Sequence, residues 1–87
     1  SPKIPPVEQL MSAAALCFGI VTTAEAAGWG ANWLTGWPAH DASFAARAFG
    51  CTDVETVAGI VHIATAPEDG PDRPRPDLSK IVTWVDR

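Results

Sequence analysis

Two arginines late in the chain have the type and spacing best suited to binding chemistry. Arg73 and Arg75 flank Pro74, whose ring holds the backbone extended and keeps the two guanidinium groups at a fixed spacing. A guanidinium binds phosphate through two parallel hydrogen bonds. The segment therefore suggests phosphate binding, with a solvated linker as the alternative. Three nearby aspartates could neutralise both arginines: Asp69, Asp72 and Asp77.

A segment punctuated by glycines could bring the backbone close to a flat ligand. An alanine-rich helix is expected to end at Gly28, which suits the left-handed position just past a helix end. A short strand follows, and Gly30 and Gly36 leave its entry and exit without side chains.

Histidines and cysteines do not form a metal-binding pattern. His40 and His62 lack metal-ligand spacing, and Cys17 and Cys51 lie far apart without a second ligand pair. We interpret His40 as an exposed turn residue and His62 as a strand residue. The two cysteines are expected to be buried free thiols, which suits a reducing cytoplasm.

Composition and charge limit the classes of function. The 87 residues are 47% apolar and 18% charged, which is too apolar for a disordered chain. A net charge of −4 with six Lys and Arg argues against nucleic acid binding. The apolar run 10–21 is shorter than the roughly 20 residues that span a bilayer. We interpret it as a buried helix and expect no membrane contact, with a signal-peptide core as the alternative.

Two apolar runs, 10–21 and 57–66, are hydrophobic nearly all round. Such elements must be covered on more than one side, and a chain of this length has little material for that. We therefore expect partner structure, either a second subunit or a preceding piece of the same polypeptide.

The order of elements follows from the apolar periodicity and the helix-end signals. Asp41 is a good N-cap for the second helix, and Gly50 closes it. In the second strand both the odd- and the even-numbered positions are apolar. Because these positions point to opposite faces, we predict that the strand is buried on both faces. The predicted elements are a helix over about 7–27, a strand over 31–34, a turn at 37–38, a helix over 42–49, a strand over 56–65, and an extended tail over 67–87 with an edge strand or arm at 81–85.

The chain resembles the nitroreductase family of flavoproteins. The run 24–36 fits the pattern A-[EH]-A-x-G-h-G-x-x-W-x-[ST]-G, with h an apolar residue. The resemblance continues through 48–51 (AFGC), 57–59 (VAG) and 73–76 (RPRP). It implies an α+β, nitroreductase-like fold with a mixed sheet and packed helices. It also implies that residues 1–87 are the C-terminal portion of a longer flavoprotein that assembles as an intertwined homodimer.

The same resemblance implies a site for flavin mononucleotide (FMN). Trp33, Leu34 and Thr35 would lie beside the isoalloxazine ring, and Thr35 could also donate a hydrogen bond. Arg73 and Arg75 would bind the FMN phosphate. A plain strand with Trp33 in the core is the alternative. The Arg-Arg-Ser motif that the family usually carries near its N-terminus does not occur in this sequence.

The end of the first helix corresponds to the place where NAD(P)H approaches the flavin in short members of the family. Small side chains permit that approach, and they equally permit tight helix packing at a dimer interface. The residues concerned are Thr23, Ala24, Glu25, Ala26, Ala27 and Gly28.

The function that the resemblance implies is hydride transfer from NAD(P)H through FMN to a nitroaromatic, a quinone or a similar small-molecule acceptor in the cytoplasm. No acid–base constellation is found, which suits chemistry that the cofactor carries. The alternative is a flavin-free dimerisation or interaction module with the same fold.

Overall fold

A computed structural model describes residues 2–68, 70 and 72–86. These residues contain helices and one small antiparallel sheet, so the chain is α+β in the general sense. The elements in chain order are α1 (Pro6–Ala26), β1 (Gly30–Leu34), α2 (Trp37–His40), α3 (Ala42–Phe49), β2 (Ile60–Ala64) and α4 (Leu78–Ile81).

Helix α1 begins at a proline and ends at a glycine. Pro6 occupies the first turn, where its missing N–H costs no hydrogen bond. At the other end the N–H of Trp29 donates to the Ala24 carbonyl, and the N–H of Gly28 donates to the Glu25 carbonyl, both at 3.0 Å. This pair of bonds is a Schellman motif, and Gly28 has the left-handed φ of 94° that the motif requires. The chain can therefore turn directly from α1 into β1.

The sheet consists of β1 and β2 paired antiparallel, from Gly30 opposite Ala64 to Leu34 opposite Ile60. Helix α1 packs against both strands. The predicted strand 56–65 is too long, because pairing extends only as far as the five residues of β1. A mixed sheet is not present among the described residues, since their two strands pair in one direction only.

The expectation that the second strand is buried on both faces is wrong for this chain. Ile60 and Val61 are half-buried, and the remaining three residues of β2 are exposed. A two-stranded sheet with one helix against it has no second layer to cover the other face.

Helices α2 and α3 pack against each other. The turn predicted at 37–38 is instead the start of α2, which follows Gly36 with a φ of 73°. His40 is exposed, as predicted, but it is the last residue of α2 and not part of a turn. Helix α3 has the predicted bounds, and the Asp41 side chain accepts a hydrogen bond from the Phe44 N–H at 2.9 Å.

The tail is not extended throughout, because α4 interrupts it. Asp77 caps this short helix by accepting hydrogen bonds from the N–H and the hydroxyl of Ser79. These bonds favour the charged carboxylate and lower the pKa of Asp77. Ile81 closes α4, and residues 82–86 carry no strand, so of the two predicted alternatives the edge strand is wrong and an arm without regular structure remains.

The chain leaves far more surface exposed than a folded monomer of its mass. Its accessible surface is 7682 Å², whereas a compact monomer of this size has about 4,900 Å². Its radius of gyration is 16.8 Å, against about 12 Å for a compact domain of this length. Among the described residues the buried hydrophobic side chains are three alanines, Ala24, Ala39 and Ala45.

Exposed large apolar side chains are spread over the described chain, and six of the nineteen lie on α1. Large side chains remain exposed along most of the helix: Val7, Leu10, Met11, Leu16, Phe18 and Ile20. Helix α1 has 21 residues and extends well beyond the run 10–21, so by length and composition it could cross a membrane. Core helices of soluble proteins, which are mostly buried, and signal sequences near the N-terminus pass the same test. Only 6% of the apolar window of α1 is buried, so its surface is left for a protein partner or a lipid environment to cover.

Two glycine substitutions test the end assigned to α1. Gly28→Ala should lower the free energy of unfolding by about 1–2 kcal/mol, because an L-residue is strained in the left-handed region. Gly19→Ala is the matched control within the helix, where an added methyl group meets no atom within 4 Å. It should raise stability by about 0.5–1 kcal/mol. Chemical denaturation followed by circular dichroism, at one chain concentration, measures the free energy of unfolding of both variants. Equal changes in the two variants would contradict a helix end at Gly28.

Candidate functional site

The predicted ring-binding segment lies at the end of β1. Trp33 and Leu34 are its last two residues, opposite Val61 and Ile60 of β2, and Thr35 follows immediately. All three side chains are exposed. Because the described sheet has two strands, β1 pairs on one side and its other edge is open. A ligand could therefore reach both the backbone and the side chains of this segment.

The indole of Trp33 is held across the sheet by the residues that precede β2. Its Nε1–H donates a hydrogen bond to the Ala58 carbonyl at 3.2 Å. The ring lies where a Cβ atom on Gly59 would be, so residue 59 has to be glycine for the indole to occupy this place. Trp33 is nevertheless 36% exposed. The ring is therefore fixed by the chain on one side and partly exposed on the other.

The predicted nicotinamide segment lies at the other end of β1. Five strand residues separate it from Thr35, a distance of about 17 Å. Ala24 is buried, so it cannot contact a ligand, and packing is the correct interpretation for this residue. The other five residues are exposed: Thr23, Glu25, Ala26, Ala27 and Gly28. A single chain does not bring this segment together with Trp33.

The two arginines lie in the tail, where an aspartate neutralises one of them. The Arg75 guanidinium forms an ion pair with Asp72 at 3.2 Å, and the two side chains are 74% and 86% exposed. Asp77 is committed to capping α4, and Asp69 lies outside the described residues. Within the described part of the chain, no hydrogen bond or ion pair joins either arginine to 33–35.

FMN needs an apolar wall, polar groups at the ring edge and cations for the phosphate. The half-open Trp33 ring and the Thr35 hydroxyl match the first two requirements in type, whereas the Leu34 side chain points to the opposite face of β1. The exposed guanidinium of Arg75 fits the third in type, but the tail does not hold it beside the ring segment. The described chain therefore places Trp33, Leu34 and Thr35 together at the end of β1 and leaves the two arginines apart from them.

An aromatic cluster that the sequence interpretation missed begins two residues after Thr35. The rings of Trp37 and Phe44 lie 4.9 Å apart, and those of Phe44 and Phe49 lie 5.7 Å apart, both edge to face. Phe44 and Phe49 are five residues apart, which is not the three- or four-residue spacing of helix neighbours, so their contact was not evident from the sequence. The contact with Trp37 depends on the packing of α2 against α3, for which the sequence held no signal.

The cysteines are half-buried and not fully buried as predicted. Both line an apolar cavity of about 410 Å³ beside α1. Across the described residues, no group of three or more His, Cys, Asp and Glu side chains could hold a metal ion. His62 lies on β2 with an exposed side chain.

Comparison with protein-family models and with curated proteins finds no match to this chain. A functional proposal therefore depends on its residues and their geometry.

Gly59→Ala tests how Trp33 is held. The new methyl group would occupy the space of the indole, so the ring must move and its bond to Ala58 must break. Stability should fall by about 1 kcal/mol, and the indole N–H should exchange faster with solvent in NMR spectra. Gly70→Ala is the control, because an added methyl group there meets no atom within 4 Å. Unchanged exchange at Trp33 in Gly59→Ala would contradict the packing described.

Proposed function

We propose that this chain is the C-terminal portion of an FMN-dependent NAD(P)H oxidoreductase of the nitroreductase type. The substrate acceptor would be a nitroaromatic, a quinone or a similar small molecule. One observation carries the proposal: Trp33, Leu34 and Thr35 are accessible at the end of a strand whose outer edge is open. The same segment lies within the run 24–36 that resembles the family.

Each part of the chain has a distinct role in this proposal. Trp33 forms the apolar wall for the ring, and Thr35 donates a hydrogen bond to its polar edge. The side chain of Leu34 points to the opposite face of the strand, so Leu34 lies beside the ring through its backbone. Bound FMN supplies the hydride chemistry, and the protein supplies position and electrostatics. Arg73 and Arg75 bind the phosphate. The exposed residues at the end of α1 leave room for NAD(P)H.

Assembly as a homodimer is part of the proposal. The ring segment, the nicotinamide segment and the arginines lie apart on one chain, so a complete site needs further structure. The excess exposed surface supports this, since about 2,700 Å² per chain is available for an interface. We place the protein in the cytoplasm, where two free thiols are stable.

A flavin-free interaction module is the second candidate. The exposed apolar surface of α1 favours this candidate, because large exposed apolar surfaces are typical of sites that bind another protein. The two candidates differ in one measurable property, which is binding of FMN. A yellow protein with flavin absorbance supports the first candidate, and a colourless protein that does not bind added FMN supports the second.

Arg75→Ala tests the phosphate contact. A charge-assisted hydrogen bond contributes roughly 1.5–3 kcal/mol. Its loss should weaken FMN binding about ten- to a hundredfold. Riboflavin lacks the phosphate, so its affinity should change little. Titration followed by flavin fluorescence measures both ligands.

Asp72→Asn is the matched variant, because it releases Arg75 from its ion pair. An exposed pair contributes about 0.2–1 kcal/mol, so FMN binding should strengthen by up to about fivefold. Equal losses for FMN and riboflavin in Arg75→Ala would mean that Arg75 supports the fold. No loss for either ligand would leave 73–75 as a solvated linker.

A further inference from the structure

Two thiols from distant parts of the sequence line one cavity. Cys17 lies in the middle of α1, and Cys51 follows the end of α3. Both line the cavity of about 410 Å³ whose other wall is the segment 55–60. Both are free and half-buried. The cavity opens to solvent, so a small oxidant can reach it.

The fold determines the position of each thiol. Cys17 belongs to the stripe of α1 that faces the sheet, together with half-buried Ala13 and Val21 and buried Ala24. The backbone N–H of Cys51 donates to the Ala45 carbonyl at 3.3 Å, which fixes Cys51 to the end of α3. Residues 52–59 carry no helix or strand, so a loop connects Cys51 to β2.

We propose that Cys17 and Cys51 form an intramolecular disulfide when a peroxide oxidises them. One thiolate attacks a peroxide oxygen, which breaks the O–O bond, gives a sulfenic acid and releases the first water. The second thiolate attacks that sulfur, and the sulfenic oxygen leaves as the second water. Two thiols lose two electrons and two protons in total, and hydrogen peroxide is reduced to two waters.

The disulfide would act on the segment that holds Trp33. Val57, Ala58 and Gly59 line the same cavity, and the Ala58 carbonyl accepts the Trp33 hydrogen bond. Tying Cys51 to α1 would restrict residues 52–59 and hence the place of the indole. The bond itself depends only on the two thiols and the cavity, so it does not depend on flavin binding.

Peptide mapping of the whole chain tests the proposal. The native protein, without added flavin, is treated with hydrogen peroxide, alkylated and digested with trypsin without reduction. Trypsin cleaves after Arg47 and not at the Arg-Pro bonds, so the cysteines fall in different peptides, 4–47 and 48–80. The two peptides should be found joined, with a mass lower by two hydrogen atoms than their sum. The oxidised chain should melt about 10 °C higher than the reduced chain.

Two controls separate this result from non-specific oxidation. Cys17→Ser and Cys51→Ser should each leave the peptides unlinked and the melting temperature unchanged by peroxide. The chain unfolded in guanidinium should form the link more slowly than the native chain, because the cavity no longer brings the thiols together. Covalent dimers in place of the internal link, equal rates in both states, or two alkylated cysteines after peroxide treatment would each overturn the proposal.

Discussion

The apolar surface of α1 is left largely uncovered by the two-stranded sheet against which the helix packs. This helix is the largest element, and it packs against a sheet of only two short strands. Isolated two-stranded sheets are marginally stable in water. The excess of about 2,700 Å² over a compact monomer would bring an interface between two copies to the size of large obligate dimers. We propose that a second copy, or a preceding piece of the same polypeptide, supplies the core that these residues lack.

The candidate site depends on the same packing through a short series of contacts. The Schellman turn at Gly28 leads α1 into β1, and pairing with β2 brings Trp33 beside residues 58 and 59. Gly59 leaves room for the indole, and the Ala58 carbonyl holds it. The ring segment is thus assembled by local contacts, whereas the arginines of the tail have no such contact with it. A partner that covers α1 could also bring those distant parts together.

Local signals in the sequence predicted what local interactions determine. The glycine at 28 marks the end of α1, and Asp41 marks the start of α3, because each acts on the backbone groups next to it. Asp77 is an N-cap of the same kind, but the proline-rich sequence before it predicted an extended tail, and so α4 was not predicted. The end of β2 nearest Gly59 could not be predicted, since it is set by the length of β1. The partial exposure of β2 could not be predicted either, because the burial of a strand depends on which other structure covers the sheet.

Sedimentation equilibrium across a range of chain concentrations measures whether a second copy covers α1, as we propose. We expect a species of two chains whose cooperative melting temperature rises with concentration, because folding and association are then linked. A folded monomer with a concentration-independent melt would contradict it. So would a chain that is soluble only in detergent and inserts into vesicles, since α1 would then be covered by lipid.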